Sequence, residues 1–106
     1  MVTRGDVWLV NLDPTVGSEI RKSRPCVVLS PPELHDHLKT VIIAPMTSQG
    51  FQVPFRVPLK FRGTSGLLVL DQIRSVDKLR LVKKLGSVQA QTLRTALQTM
   101  REMFEA

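Results

Sequence analysis

A guanidinium at Arg24, a hydroxyl at Thr47 and a carboxylate at Asp71 each stand where an apolar run meets a polar stretch. The stretches are residues 17–25 (GSEIRKSRP), 44–48 (APMTS) and 71–77 (DQIRSVD). A strand end holds its backbone rigidly, so side chains placed there can be aimed at one substrate. Arg24 precedes Pro25, which pushes it into extended geometry. Thr47 follows the apolar run 41–46, and Asp71 and Arg74 border the runs within 67–76. If the three stretches converge, they offer a cation, a hydroxyl and a carboxylate, a set suited to chemistry on a phosphodiester.

RNA can cleave itself when its 2′-hydroxyl attacks the adjacent phosphate. A protein that promotes this must remove that proton, stabilise added negative charge and protonate the leaving oxygen. Arg24 suits the second task, because guanidinium is planar, permanently charged and bidentate. It does not readily deprotonate, so charge stabilisation fits it better than general-base work. Thr47 can bond a phosphate oxygen, and Ser18 and Ser48 offer further donors. The plainer alternatives are a salt bridge from Arg24 to Glu19 and ordinary strand propensity for Thr47.

Other chemistries find less support. His35 and His37 flank Asp36, but alternate residues in a loop make a poor metal site without further ligands, and there is no cysteine pair. A solvent-exposed loop is the better reading of that segment. The six glycines are scattered and none forms a phosphate loop before a helix. No nucleophile-elbow motif is present. Aromatic residues are few, so base stacking is poorly supplied. Phe51 and Phe55 lie near a loop and could each hold a base, though core packing suits Phe55 better. Trp8 fits either core or groove wall.

These candidates must be positioned by short elements. Residues 5–12 alternate as a first strand, and Asp13-Pro14 begins a turn leading into a polar loop through 24. Residues 25–30 form a buried strand that Pro31-Pro32 ends, and 32–38 suit a helical turn. A third strand spans 40–46 and a loop spans 47–53. Residues 54–59 carry two prolines and make an edge strand at best. Residues 66–76 hold one long or two short strands, followed by a basic turn near 78–81 and a strand near 82–85. Gly86-Ser87 opens the one long helix, with Ser87 placed as N-cap. Its apolar stripe runs through Leu93, Leu97, Met100 and Phe104, widened by Ala96 and Met103. The fold class expected is mainly β with a C-terminal α-helix, a small, strongly bent antiparallel sheet or partial barrel.

Composition sets bounds. The chain has 106 residues, 42% of them hydrophobic, which predicts one folded domain over 1–106. No apolar run suffices for a membrane helix and no export signal is evident, so a cytoplasmic location is expected. The single Cys26 allows no intrachain disulfide. Residues 56–84 hold eight Lys/Arg against two Asp and so account for the whole net charge of +6. Such a block suits an anionic partner, either nucleic acid or an acidic protein tail, or else a solvated basic face.

The segments 4–8 (RGDVW), 12–19 (LDPTVGSE), 24–30 (RPCVVLS), 44–47 (APMT) and 71–77 (DQIRSVD) together resemble the MazF/PemK/Kid family of toxin endoribonucleases from toxin–antitoxin pairs. The resemblance implies a PemK/MazF-like, SH3-related antiparallel β-barrel that forms a homodimer. It implies sequence-specific cleavage of single-stranded mRNA without metal or other cofactor, leaving 2′,3′-cyclic phosphate and 5′-hydroxyl ends and arresting growth. In MazF-like members the arginine of the Arg-Pro dipeptide, here Arg24, and the threonine ending the A-P-x-T strand, here Thr47, are catalytic. Ser18, Glu19, Ser48, Gln49, Phe51, Asp71, Gln72 and Arg74 are the expected substrate-binding set. Kid-like members carry a histidine where Ser18 stands and an arginine where Val69 stands, so the MazF-like mechanism is expected. Asp71 then fixes the fold or binds Arg74. The implied partner is an antitoxin whose disordered acidic tail folds onto the basic groove, in a complex that binds DNA. Two rivals are a gyrase poison like the CcdB relatives and a non-catalytic SH3-like RNA- or protein-binding module. The first relies on a Trp-Gly-Ile ending that this chain lacks, and the second does not need Arg24 and Thr47 together.

Overall fold

The computed structural model describes residues 1–106. Seven strands follow in order: β1 (Asp6–Asn11), β2 (Ser23–Val28), β3 (Thr40–Thr47), β4 (Arg56–Phe61), β5 (Thr64–Val69), β6 (Arg74–Asp77) and β7 (Leu81–Ser87). A short helix α1 (Pro32–His35) sits between β2 and β3, and the long helix α2 (Ala90–Met103) ends the chain. Single 3₁₀ turns at Leu70–Gln72 and Lys78–Arg80 flank β6.

β3 organises the sheet. Its sequence, TVIIAPMT, is rich in β-branched residues, which suit a strand buried on both faces. Along one edge it pairs antiparallel with β2, matching Val27 to Ala44. Along the other it pairs first with β6, matching Val41 to Val76, and then with β5, matching Thr47 to Leu67. All pairings are antiparallel, and the main path runs β4-β5-β3-β2-β1-β7.

Alternation along the central strands sends side chains to two cores. Val7, Val27, Ala44 and Leu68 join one with Leu70 and Ala96, under α2. Val10, Cys26, Val28, Val41 and Ile43 join the other, flanked by Trp8 and Ile20. The two outer strands β4 and β7 meet through side chains. The Phe61 ring rests on Gly86, where a Cβ would come within 3.3 Å of it, and Arg62 Nη2 donates to Leu85 O. The sheet thereby curls into a partial barrel whose seam lies between those strands.

Several elements depart from their sequence reading. Ser87 ends β7 and does not cap α2, whose N-cap is Gln89 with no side-chain cap bond. The strand needs Ser87, paired to Asp6, and the helix starts three residues later. α2 packs through Leu93, Ala96, Met100 and Met103, whereas Leu97 stays outside the core and Phe104 is exposed past the last turn. β4 and β5 run two residues beyond the expected bounds, because Arg62 (φ 51°) and Gly63 (φ 79°) supply the paired left-handed residues of a tight two-residue hairpin turn. Phe55 is half-exposed in a left-handed turn (φ 71°) instead of packing in the core. The histidine segment is no solvated loop at its centre. His35 is fully buried, its Nε2 donating to Val2 O at 3.0 Å and its Nδ1 accepting from Ser30 Oγ at 2.9 Å. Ser30 Oγ accepts in turn from Ile42 N at 3.1 Å.

Candidate active site

Arg24 is the second residue of β2 and Thr47 the last of β3. These strands are hydrogen-bonded neighbours, so both residues reach the same end of the sheet. They line one cleft of about 330 Å³ together with Ser48. The β4–β5 hairpin supplies Arg62, Thr64, Ser65 and Gly66, and Pro25, Met46, Leu59, Phe61 and Leu85 complete the walls. The twelve lining residues include two arginines and four hydroxyl side chains, and no carboxylate. A fixed array of N–H and O–H donors without an acidic neighbour matches the charge and acceptor pattern of a phosphodiester.

Local contacts orient both groups. Arg24 Nε donates to Arg21 O at 3.2 Å, which leaves the terminal nitrogens of the guanidinium as an open fork. The salt bridge to Glu19 does not form, because Glu19 Oε1 instead accepts from Val16 N at 2.6 Å within its own loop. Thr47 Oγ1 accepts from Gln49 N at 3.1 Å, so its own hydrogen is left to donate elsewhere. Behind Thr47 the backbone is tightly packed. A Cβ on Gly66 would lie 2.6 Å from Thr47 O, so only glycine lets β5 come this close.

A second cleft of about 370 Å³ lies between the 12–22 loop and the 71–74 segment. It holds Glu19, Asp71, Gln72 and Arg74 among walls of Leu12, Ile20, Pro45 and Ile73. The expected binding set is thus divided between two clefts. Ser18, Gln49 and Phe51 line neither, and the Phe51 ring stands free in solvent. Gln72 clasps the loop through both ends of its amide, accepting from Ile20 N at 2.7 Å and donating to Ser18 O at 3.4 Å. Arg74 Nη1 donates to Leu12 O at 3.1 Å, and Arg80 Nη1 donates to Asn11 O at 3.1 Å and to Asp13 O.

Asp71 does not bind Arg74. It takes a bidentate pair from Arg56, Nε to Oδ1 and Nη2 to Oδ2, both at 3.0 Å. The hydrogen bonds from Arg56 hold the Asp71 carboxyl below the usual carboxylate range, and Asp71 raises the Arg56 guanidinium in return. Arg56 faces Val69 directly across the β4–β5 ladder. Asp71 thus draws its guanidinium partner from the neighbouring strand β4. Burial pushes the Cys26 thiol up to about 12, against the pull of the Arg74 charge, which disfavours a reactive thiolate there. No cluster of three His, Cys, Asp or Glu side chains is arranged to hold a metal.

Residues 3–104 match the family described as the PemK-like, MazF-like toxin of type II toxin–antitoxin systems. The chain belongs to this family of toxin endoribonucleases. Among its relatives, endoribonuclease MazF9 of Mycobacterium tuberculosis is 36% identical over 104 residues, covering 88% of this chain and 87% of that protein. The crystal structure of MazF from Deinococcus radiodurans superposes with a TM-score of 0.84 at 28% identity, covering 96% of this chain and 94% of that one. A MazE–MazF structure from the same organism gives 0.77 at 25% identity, covering 96% and 94%. No helix is long and apolar enough to cross a membrane.

Reading the sequence alone misses Arg62, Thr64, Ser65 and Gly66 as cleft residues. One signal was available: an Arg-Gly pair between the apolar 57–61 and 67–70 runs, a tight-turn cue that folds the second wall over Thr47.

Proposed function

We propose that this chain cleaves single-stranded mRNA at a short sequence, by metal-independent attack of a ribose 2′-hydroxyl on the adjacent phosphorus. The P–O2′ bond forms as the P–O5′ bond breaks. The 2′-oxygen loses a proton and the 5′-oxygen gains one, leaving a 2′,3′-cyclic phosphate and a 5′-hydroxyl. The observation that carries this reading is the shared cleft of Arg24 and Thr47, rich in donors and free of carboxylates. The open fork of Arg24 binds the two non-bridging oxygens as charge builds on them, and Thr47 Oγ1 donates to one of them or to the leaving oxygen. Ser48 opens onto this cleft and the 12–22 loop lines the second one, and these two surfaces contact the bases of the bound strand. The active form is a homodimer, and an antitoxin with an acidic disordered tail inhibits it by occupying the same basic surface. A structural relative is a MazE–MazF assembly, which favours a partner of that kind.

The test is incubation of the purified protein with a mixed RNA pool in EDTA, followed by sequencing of the cut ends. Cuts should cluster at one short motif with 5′-hydroxyl ends. Arg24→Ala should abolish them while the protein stays folded, and Thr47→Ala should slow them by about 10²-fold or more. Unchanged cutting by Arg24→Ala removes Arg24 from the site. Intact RNA with gyrase arrest would transfer the chain to the gyrase-poison class.

A further inference from the structure

We infer that Arg62 is a second phosphate-binding cation, one that grips a phosphate of the bound strand other than the scissile one. The inference rests on the proposed RNA cleft, and it adds a residue from a segment outside the expected binding set. Arg62 lines the same cleft as Arg24 and Thr47 but is carried by a different element, the turn of the β4–β5 hairpin.

Its guanidinium is held in place before any ligand arrives. Nη2 donates to Leu85 O on β7, and the cation lies 5.5 Å from the centre of the Phe61 ring. The Arg62 backbone is left-handed (φ 51°), as its tight turn requires, so the side chain starts from a fixed direction. Neither Nε nor Nη1 has a partner within the protein, which leaves N–H groups for an anion. No acidic side chain lines the cleft to neutralise it, and the adjacent Thr64 and Ser65 add hydroxyl donors. Lys60 and Lys83 of the basic block do not line the cleft, and two further cations are already paired. Arg56 is paired with Asp71, and Lys84 lies 3.4 Å from the Asp6 carboxylate. A cation anchored by a backbone carbonyl on one strand and a ring on another is built for ground-state binding. Its removal should weaken association more than the chemical step.

The probe is a non-cleavable all-deoxy oligonucleotide of mixed sequence, titrated at several salt concentrations. Arg62→Gln is the main variant, because its amide can still donate to Leu85 O while the charge is gone. Arg62→Lys is the control for charge. Arg62→Gln should bind about fivefold to tenfold more weakly near 0.1 M salt and lower the salt slope by about 0.7, the loss of one phosphate contact on a single strand. In cleavage of the matched RNA it should raise KM with little change in kcat, and Arg62→Lys should restore most of the slope. An unchanged slope in a folded Arg62→Gln protein overturns the inference, as does a loss confined to kcat. A loss of affinity for a poly-glutamate peptide alone, with oligonucleotide binding intact, overturns it in favour of a peptide contact. If no RNA is cut but the slope still falls, the binding role of Arg62 stands and the nuclease reading fails.

Discussion

Replacing Gly66 by alanine should disable the site from behind. The new Cβ would sit 2.6 Å from Thr47 O, 3.4 Å from Thr47 C and 3.7 Å from Ser48 Cα. Ordinary contact for a Cβ begins near 3.4 Å, so the end of β3 must retreat by about 0.8 Å. The obstacle is backbone, which cannot rotate away as a side chain could. Overpacking of this kind typically costs about 1–3 kcal/mol, which in a domain this small lowers Tm by roughly 4–8 °C per kcal/mol. The kinetic effect should exceed the thermal one, because misplacing a reacting group by about 1 Å can cost on the order of 10²-fold in rate. The assay is single-turnover cleavage at a temperature where both proteins are folded, with urea unfolding measured alongside. Gly5→Ala is the control. It is also strained (φ 93°) and would press on the Leu93 side chain at 3.2 Å, and neither residue lines the cleft. Gly5→Ala should lose stability and keep its rate per folded molecule. A Gly66→Ala protein that cuts at the wild-type rate would refute the argument that Thr47 is held in place by β5.

Two further outcomes follow from other contacts. Asp71→Asn should cost stability modestly, under about 1 kcal/mol, because the pair with Arg56 is substantially exposed. The sign is set by the lowered Asp71 pKa: the contribution is complete above the ordinary carboxylate range and fades as pH falls through the depressed value. The gap between wild type and Asp71→Asn in urea titrations should therefore hold constant near neutrality and close below about pH 4. A complete kinetic loss at normal stability would instead make Asp71 a catalytic group. His35→Ala should destabilise the fold by about 2–4 kcal/mol, since it removes a buried ring and leaves the Val2 carbonyl and the Ser30 hydroxyl short of a partner. Cleavage per folded molecule should not change. Lost activity without lost stability would return His35 to the chemistry.

What was legible in the sequence was whatever depends on neighbours along the chain. The apolar runs at 25–30 and 40–46 foretold β2 and β3, although β2 lies two residues earlier than its run, and the Arg24-Pro25 step foretold an extended arginine near a strand start. The helical stripe foretold which side of α2 packs, though not that Phe104 falls beyond its last turn. What stayed hidden depends on pairing across the sheet. Arg56 and Asp71 are 15 residues apart and meet only because β4 folds back on β5. His35 gave no local hint of burial, since its partners are a carbonyl 33 residues earlier and a serine two residues past the end of β2. The fit of Gly66 against Thr47 is likewise a property of two strands at once.

The clasp on the 12–22 loop has its own consequence. Gln72, Arg74 and Arg80 all attach to main-chain atoms: Ile20 N and the carbonyls of Ser18, Leu12, Asn11 and Asp13. None of these anchors depends on which side chain the gripped residue carries, proline at 20 excepted. The exposed side chains of Val16, Ser18 and Arg21 can therefore be exchanged while these grips persist, whereas Glu19, whose carboxylate accepts from Val16 N, belongs to the loop's own frame. Variation at those positions, by drift or by design, would leave the scaffolding untouched.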